Sequence, residues 1–175
     1  ALEIKNVLSE YKKINSITIN RNLGYWYNNI TIDKGKKEGI KQNMAVVNSD
    51  GLIGIVDKVS NYTSTVKLLT TEEINNKISI KITNDDNKYY GLLVGYDIYN
   101  NVYQIEGITE SNKIKEGDMV STTGLTDYFP SGLLIGYVKN VVKDEYDLNS
   151  IVEVEPSVSF NDVSIVTVLN RKAQE

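Results

Sequence analysis

The chain has 175 residues with a formal net charge of -4; 41% are hydrophobic, 24% are charged, and there is neither cysteine nor histidine. Length and balance suit one large or two small globular domains rather than a disordered chain. The missing residue types exclude disulfides, Ser-His-Asp and Cys-His triads and the usual zinc and iron–sulfur ligand sets, and lysine interspersed with glutamate offers no basic face for nucleic acid.

In chain order, ALEIKNVLSEYKK (residues 1–13) is the one stretch with a helical period. Ala1, Ile4, Leu8 and Tyr11 recur at spacings of three and four and form an apolar stripe, with charged residues outside it. The stripe predicts a short amphipathic helix over 1–15, and Ile4, Leu8 and Tyr11 are the candidates for self-association. No run reaches the roughly 18 apolar residues of a membrane-spanning helix. An opening at Ala1, inside a helical pattern, is expected of a fragment whose upstream part holds a membrane anchor.

From Ser16 the period becomes two. SITIN, NNITID, MAVVN, GLIGIVDKVS, STVKLLT, KISIKIT, YYGLLVGY, YQIEGI, DMVST, LLIGYVKNVV, IVEVEP and VSIVTVL read as strands, punctuated by turns such as Asp50-Gly51 and Asn84-Asp85-Asp86-Asn87. Short strands at regular intervals predict a mainly β fold of barrels or sandwiches. The polar stretch TTEEINN (residues 70–76) marks a seam between a first domain over 16–74 and a second over 75–170, with 171–175 as a tail. VSIVTVL either completes the second domain or returns to the first.

An internal echo supports two units of similar plan. GIKQNMAVVNSDGLIGIVDKV resembles KIKEGDMVSTTG followed by SGLLIGYVKNV. Met44 aligns with Met119 at an offset of 75, and Gly54 with Gly136 at an offset of 82, so an insertion of seven residues falls around TDYFP. Gly54 and Gly136 lie inside strands, where glycine marks a bulge, a barrel corner or a close backbone approach. That favours two small barrels. Gly51, Gly124, Pro130 and Gly132 are the expected turn positions.

Little in the sequence suggests chemistry. There is no phosphate-cradling glycine motif, and the Asn84–Asn87 turn lacks the spacing of a calcium loop. Ser131 is a nucleophile by position only, with no lysine nominated beside it. Glu153 and Glu155 share a strand face that reads as solvated. No catalytic, metal or cofactor residue is assigned, and no cofactor is expected. What remains is aromatic: Tyr25, Trp26 and Tyr27, and Tyr128 with Phe129, either anchor the barrels or face a partner. Pro130 holds Phe129 in extended geometry and stiffens that tip.

WYNNITIDKGKKEGIKQNMAVVNSDGLIGIV (residues 26–56) and GDMVSTTGLTDYFPSGLLIGYV (residues 117–138) resemble the two conserved blocks of the MreC family of rod shape-determining proteins. The second block typically reads G-D-x-V-x-T-S-G-x-G-G-x-F-P-x-G-L-x-I-G-x-V. Here Thr123 replaces the serine and Thr126-Asp127 replaces the glycine pair, so contacts made by that tip in relatives do not carry over.

The resemblance implies chymotrypsin-like β-barrels preceded by the end of a coiled coil. It implies anchoring by an upstream transmembrane helix on the extracytoplasmic face of the bacterial membrane. It also implies a noncatalytic scaffold of the cell-elongation complex, serving cell shape and lateral peptidoglycan synthesis. Its partners would be itself, a penicillin-binding protein of the elongation class, MreD and the MreB system, and no nucleic acid. The alternative, from another class, is a secreted wall-binding or hydrolase-like β-barrel module contacting glycan or peptide.

Overall fold

Alternation sets the architecture. Ile78, Ile80 and Ile82 are buried while the residues between them are partly exposed, the pattern of a strand with one face on a core. A computed structural model describes residues 8–23, 28–71, 77–125, 129–143, 146 and 149–171. The strands are β1 (Tyr11–Leu23), β2 (Asn28–Ile32), β3 (Ala45–Asn48), β4 (Gly51–Val59), β5 (Ser64–Leu68) and β6 (Ile78–Asn84). They continue with β7 (Asn87–Asp97), β8 (Val102–Glu106), β9 (Met119–Thr122), β10 (Leu134–Lys143), β11 (Ser150–Pro156) and β12 (Ile165–Arg171).

They close into two barrels, one in the cyclic order β1-β12-β3-β4-β5-β2 and the other β10-β11-β8-β7-β6-β9. All pairings are antiparallel, and among the described residues closure leaves neither barrel an open sheet edge. The two rings are the same Greek key, permuted. β6 opens the second barrel's sequence, whereas its counterpart in the first, β12, comes from the far end of the chain and pairs with β1 and β3.

Each barrel has its own filling. Ile30, Ile32, Val46, Ile53, Val56, Val66 and Val168 pack inside the first. Ile80, Ile82, Leu93, Tyr103, Ile105, Val120, Val152 and Val154 pack inside the second. Burying each such aliphatic side chain is worth about 1.5–3 kcal/mol before ordering costs. Strands of the first barrel are apolar on both faces: Ala45, Leu52 and Leu169, with Leu69 just after β5, join the second barrel's cluster and form the seam between the two. At that seam Gly51 (φ 146°) brings the β3–β4 tip so close to β10 that a Cβ would lie 2.4 Å from the Leu134 carbonyl oxygen.

Two readings of the sequence need correcting. The helix expected over 1–15 fails at its C-terminal part, because Ser9-Glu10 is a turn and Tyr11 opens β1. Pairing of Tyr11–Ile17 with β12 overrides a local period carried by four residues. Residues 1–7, including Ile4, lie outside the described residues, as do 72–76 of the expected seam.

The echo is also one residue out of register. Val56 exchanges backbone bonds with Asn43 (2.8 Å) and Met44 (2.9 Å), as Val138 does with Gly117 (2.7 Å) and Asp118 (2.9 Å). Asn43 and Gly117 both take positive φ, 71° and 89°. Met44 therefore corresponds to Asp118, and Ala45 to Met119.

A candidate interaction surface on the second barrel

The passage after β9 is built around one hydroxyl. Thr122 is fully buried; its Oγ1 donates to the Pro130 carbonyl at 2.6 Å and accepts the Leu133 amide at 3.0 Å. Its backbone carbonyl accepts the Gly132 amide at 2.9 Å. These bonds close the base of a loop that spans residues 123–133, where the equivalent β3–β4 hairpin needs only Ser49-Asp50. Gly124 and Gly132 turn the chain at φ 72° and 82°. Phe129 and Pro130 are buried, and Phe129 belongs to the second barrel's cluster. Phe129 thus plugs the core; Tyr128 lies outside the described residues, as do Tyr25, Trp26 and Tyr27.

The in-strand glycines share one geometry. A Cβ on Gly54 would sit 2.3 Å from the Lys67 carbonyl oxygen, and one on Gly136 2.0 Å from that of Glu155. Neighbouring strands can cross this tightly only without a side chain.

Of the apolar stripe at the N-terminus, Tyr11 is buried in the core cluster and Leu8 packs against it. Neither Ser131 nor the glutamates assemble a reactive site. Glu153 Oε1 accepts Asn140 Nδ2 at 3.3 Å on the outer wall, and Glu155 is exposed. Among the described residues no group of three or more potential metal ligands converges. The strongest perturbation of acidity is structural: burial pushes the Tyr103 phenol up, where its ring meets Tyr96 edge-on at 5.6 Å.

The outer wall of the second barrel carries what the sequence reading did not assemble. Met119 on β9 is the direct cross-strand neighbour of Tyr137 on β10 and of Thr83 on β6. One step along, Lys81 lies opposite Tyr90 of β7, and Ser79 opposite Leu92. Met119, Tyr137, Tyr90 and Leu92 are 41%, 45%, 56% and 38% exposed. Alternation alone marks these positions as outward-facing; that four strands lay them on one wall follows only from the barrel's register. Thr83, Lys81 and Ser79 of β6 lie between them, so the wall is mixed, and its exposed Tyr and Met are residue types that protein interfaces favour.

Two closed antiparallel barrels of one permuted Greek-key plan define a paired β-barrel protein. The profile described as "Rod shape-determining protein MreC, barrel core" matches residues 18–170, and the chain belongs to the MreC family. It is 33% identical over 174 residues to the cell shape-determining protein MreC of Listeria monocytogenes, covering 99% of this chain and 59% of that protein. The solved structure of Listeria MreC superposes with a TM-score of 0.86 at 32% identity, covering 99% of this chain and 85% of that one. The major periplasmic domain of the cell shape-determining filament MreC gives 0.84 at 30% identity, with coverage of 93% and 97%. MreC in a complex with penicillin-binding protein PBP2 from Helicobacter pylori shares the fold, at a TM-score of 0.67 and 17% identity over 93% of this chain and 99% of that one.

Proposed function

We propose that this chain is the extracytoplasmic part of a noncatalytic scaffold of the cell-elongation complex, and that it holds a penicillin-binding protein of the elongation class on the outer wall of its second barrel. The observation that carries the reading is the exposed cross-strand pair Met119–Tyr137, with Tyr90 and Leu92 exposed on the same wall two strands away across β6. The Helicobacter complex supports the class of partner, and the periplasmic domain of a relative supports the compartment. Anchoring by an upstream membrane helix, and the contacts with MreD and the MreB system, belong to the same reading. Among the described residues no helix is long and apolar enough to cross a membrane.

Self-association is part of it too. With Tyr11 buried, the outward cross-strand pair Ile17–Ile165, 56% and 72% exposed, is the better candidate on the first barrel. Ile17→Asp with Ile165→Asp should lower the sedimentation-derived association constant; an unchanged constant would rule this pair out.

The test of the scaffold itself is genetic. A full-length gene carrying Met119→Asp and Tyr137→Asp should produce stable protein yet fail to restore rod shape to cells lacking it. Restoration equal to the parent gene would refute the assigned surface.

A further inference from the structure

One pole of the first barrel is basic in a chain whose net charge is -4. This pole gathers the start of β1, the end of β2, the start of β3, the β4–β5 turn and the end of β12. Hydrogen bonds tie its loops together: Lys36 N to Ser60 O at 2.9 Å and Lys37 N to Asn61 O at 3.1 Å between backbones, and the Asn170 side-chain Nδ2 to Gly39 O at 3.3 Å. Register, these bonds and the shared depression bring Lys12, Lys34, Lys36, Lys37, Lys41 and Lys58 to one end.

Four carboxylates lie there too, Glu10, Asp33, Glu38 and Asp57, so the six lysines leave an excess of two positive charges (6 − 4), and two of the carboxylates are turned to hydrogen bonds within the fold. Asp33 accepts Ser16 Oγ and the Ile17 amide, both at 2.8 Å, and pairs with Lys34 Nζ at 3.5 Å. Glu38 accepts the Gly35 amide at 2.8 Å. Among the described residues no carboxylate pairs with Lys36, Lys37, Lys41 or Lys58. Lys37 instead reaches Tyr62, with Nζ 2.8 Å from the hydroxyl and 4.6 Å from the ring centre. Tyr62 is 62% exposed. A shallow depression of about 680 Å³ opens among Lys36, Lys41 and Lys58, with Asp57 also on its lining and Ile40 beneath.

We infer that this pole docks on the surface of a bilayer containing anionic phospholipid, with headgroup phosphates among the lysines and Tyr62 at the interface. Three features favour that occupant. Charge is the complementary element, since Tyr62 is the only large exposed apolar side chain among the described residues of this pole, which is poor material for a protein interface. The cations are spread over loops and strand ends around a shallow depression, an arrangement that can meet several headgroup phosphates at once. An exposed tyrosine beside lysines suits headgroup depth, the ring at the membrane–water interface and the cations against anionic headgroups. The docking rests on the proposed extracytoplasmic location only for its meaning in the cell; binding to vesicles does not depend on it.

The experiment is flotation of the purified chain with vesicles of phosphatidylglycerol and phosphatidylcholine, against phosphatidylcholine alone. Binding is expected only with phosphatidylglycerol, and weakening as salt rises from about 0.05 to 0.5 M. Lys36→Glu, Lys37→Glu and Lys41→Glu together should reduce it more than about tenfold, since each lysine near such a surface contributes about fivefold. A charge-matched control, Lys88→Glu, Lys115→Glu and Lys139→Glu on the second barrel, should lose much less. Equal binding to neutral vesicles, equal loss in the control, or no binding at low salt would overturn the inference. So would binding to soluble polyphosphate, with the same lysine dependence, by a chain that ignores the vesicles. Unchanged circular dichroism in both triple variants keeps misfolding from standing in for any of these outcomes.

Discussion

Thr122 explains a motif that reads in the sequence only as Thr-Thr-Gly. Its hydroxyl satisfies the Pro130 carbonyl and the Leu133 amide in a place that water does not reach. Thr122→Val keeps the shape and leaves both groups without that partner, which should cost about 2–3 kcal/mol in urea denaturation. Thr122→Ser, retaining the hydroxyl, should cost distinctly less, and equal losses would mean that packing rather than hydrogen bonding is at stake. Asp33 works from the surface. The Ile17 amide, then the Ser16 hydroxyl, hold its carboxyl below the usual aspartate range. Because the folded pKa is the lower one, the stabilisation is complete above the unfolded value of about 3.9 and is lost as pH falls through the folded value. Asp33→Ala should therefore be less stable than the parent at neutral pH, and the two should converge in thermal melts as the pH drops below about 4. A gap that persists into acid would remove the carboxylate from the account.

At the scale of elements, strands with a clean period of two were legible without a structure, and so was the pairing of two similar units. What failed did so for physical reasons. Tyr11 sits at helical spacing from Leu8, yet seven residues of β1 find partners on β12, more than 140 residues away, and such pairing leaves no local trace. The echo slipped by one because a methionine match outweighed backbone geometry. Asn43 and Gly117 share a positive φ that residue identity conceals. Glycine inside β4 and β10 was readable as a special position, and the carbonyl that approaches it was not. Gly136→Ala would place a methyl 2.0 Å from the Glu155 carbonyl oxygen. It should destabilise the second barrel by about 3 kcal/mol or more, measured by chemical denaturation, with Gly54→Ala doing the same to the first barrel. A variant as stable as the parent would show that these strands can separate at little cost.

For the whole molecule, the candidate surfaces were the least legible part. The wall of Met119, Tyr137, Tyr90 and Leu92 draws on β7, β9 and β10, aligned by β6 between them, and the basic pole draws on loops and strand ends far apart in sequence. Interspersed charge in the sequence read as an even surface; folding sorted it. Closed barrels suit a scaffold, since their exteriors can present side chains without offering an edge to be extended. The most direct measurement is an isothermal titration of the purified chain with the extracytoplasmic region of the elongation-class penicillin-binding protein from the same bacterium. Saturable binding is expected, weakened at least about tenfold by Met119→Asp with Tyr137→Asp and unaffected by reversing Lys36, Lys37 and Lys41. No binding by the folded chain, or binding indifferent to the Met119 and Tyr137 changes, would contradict the account.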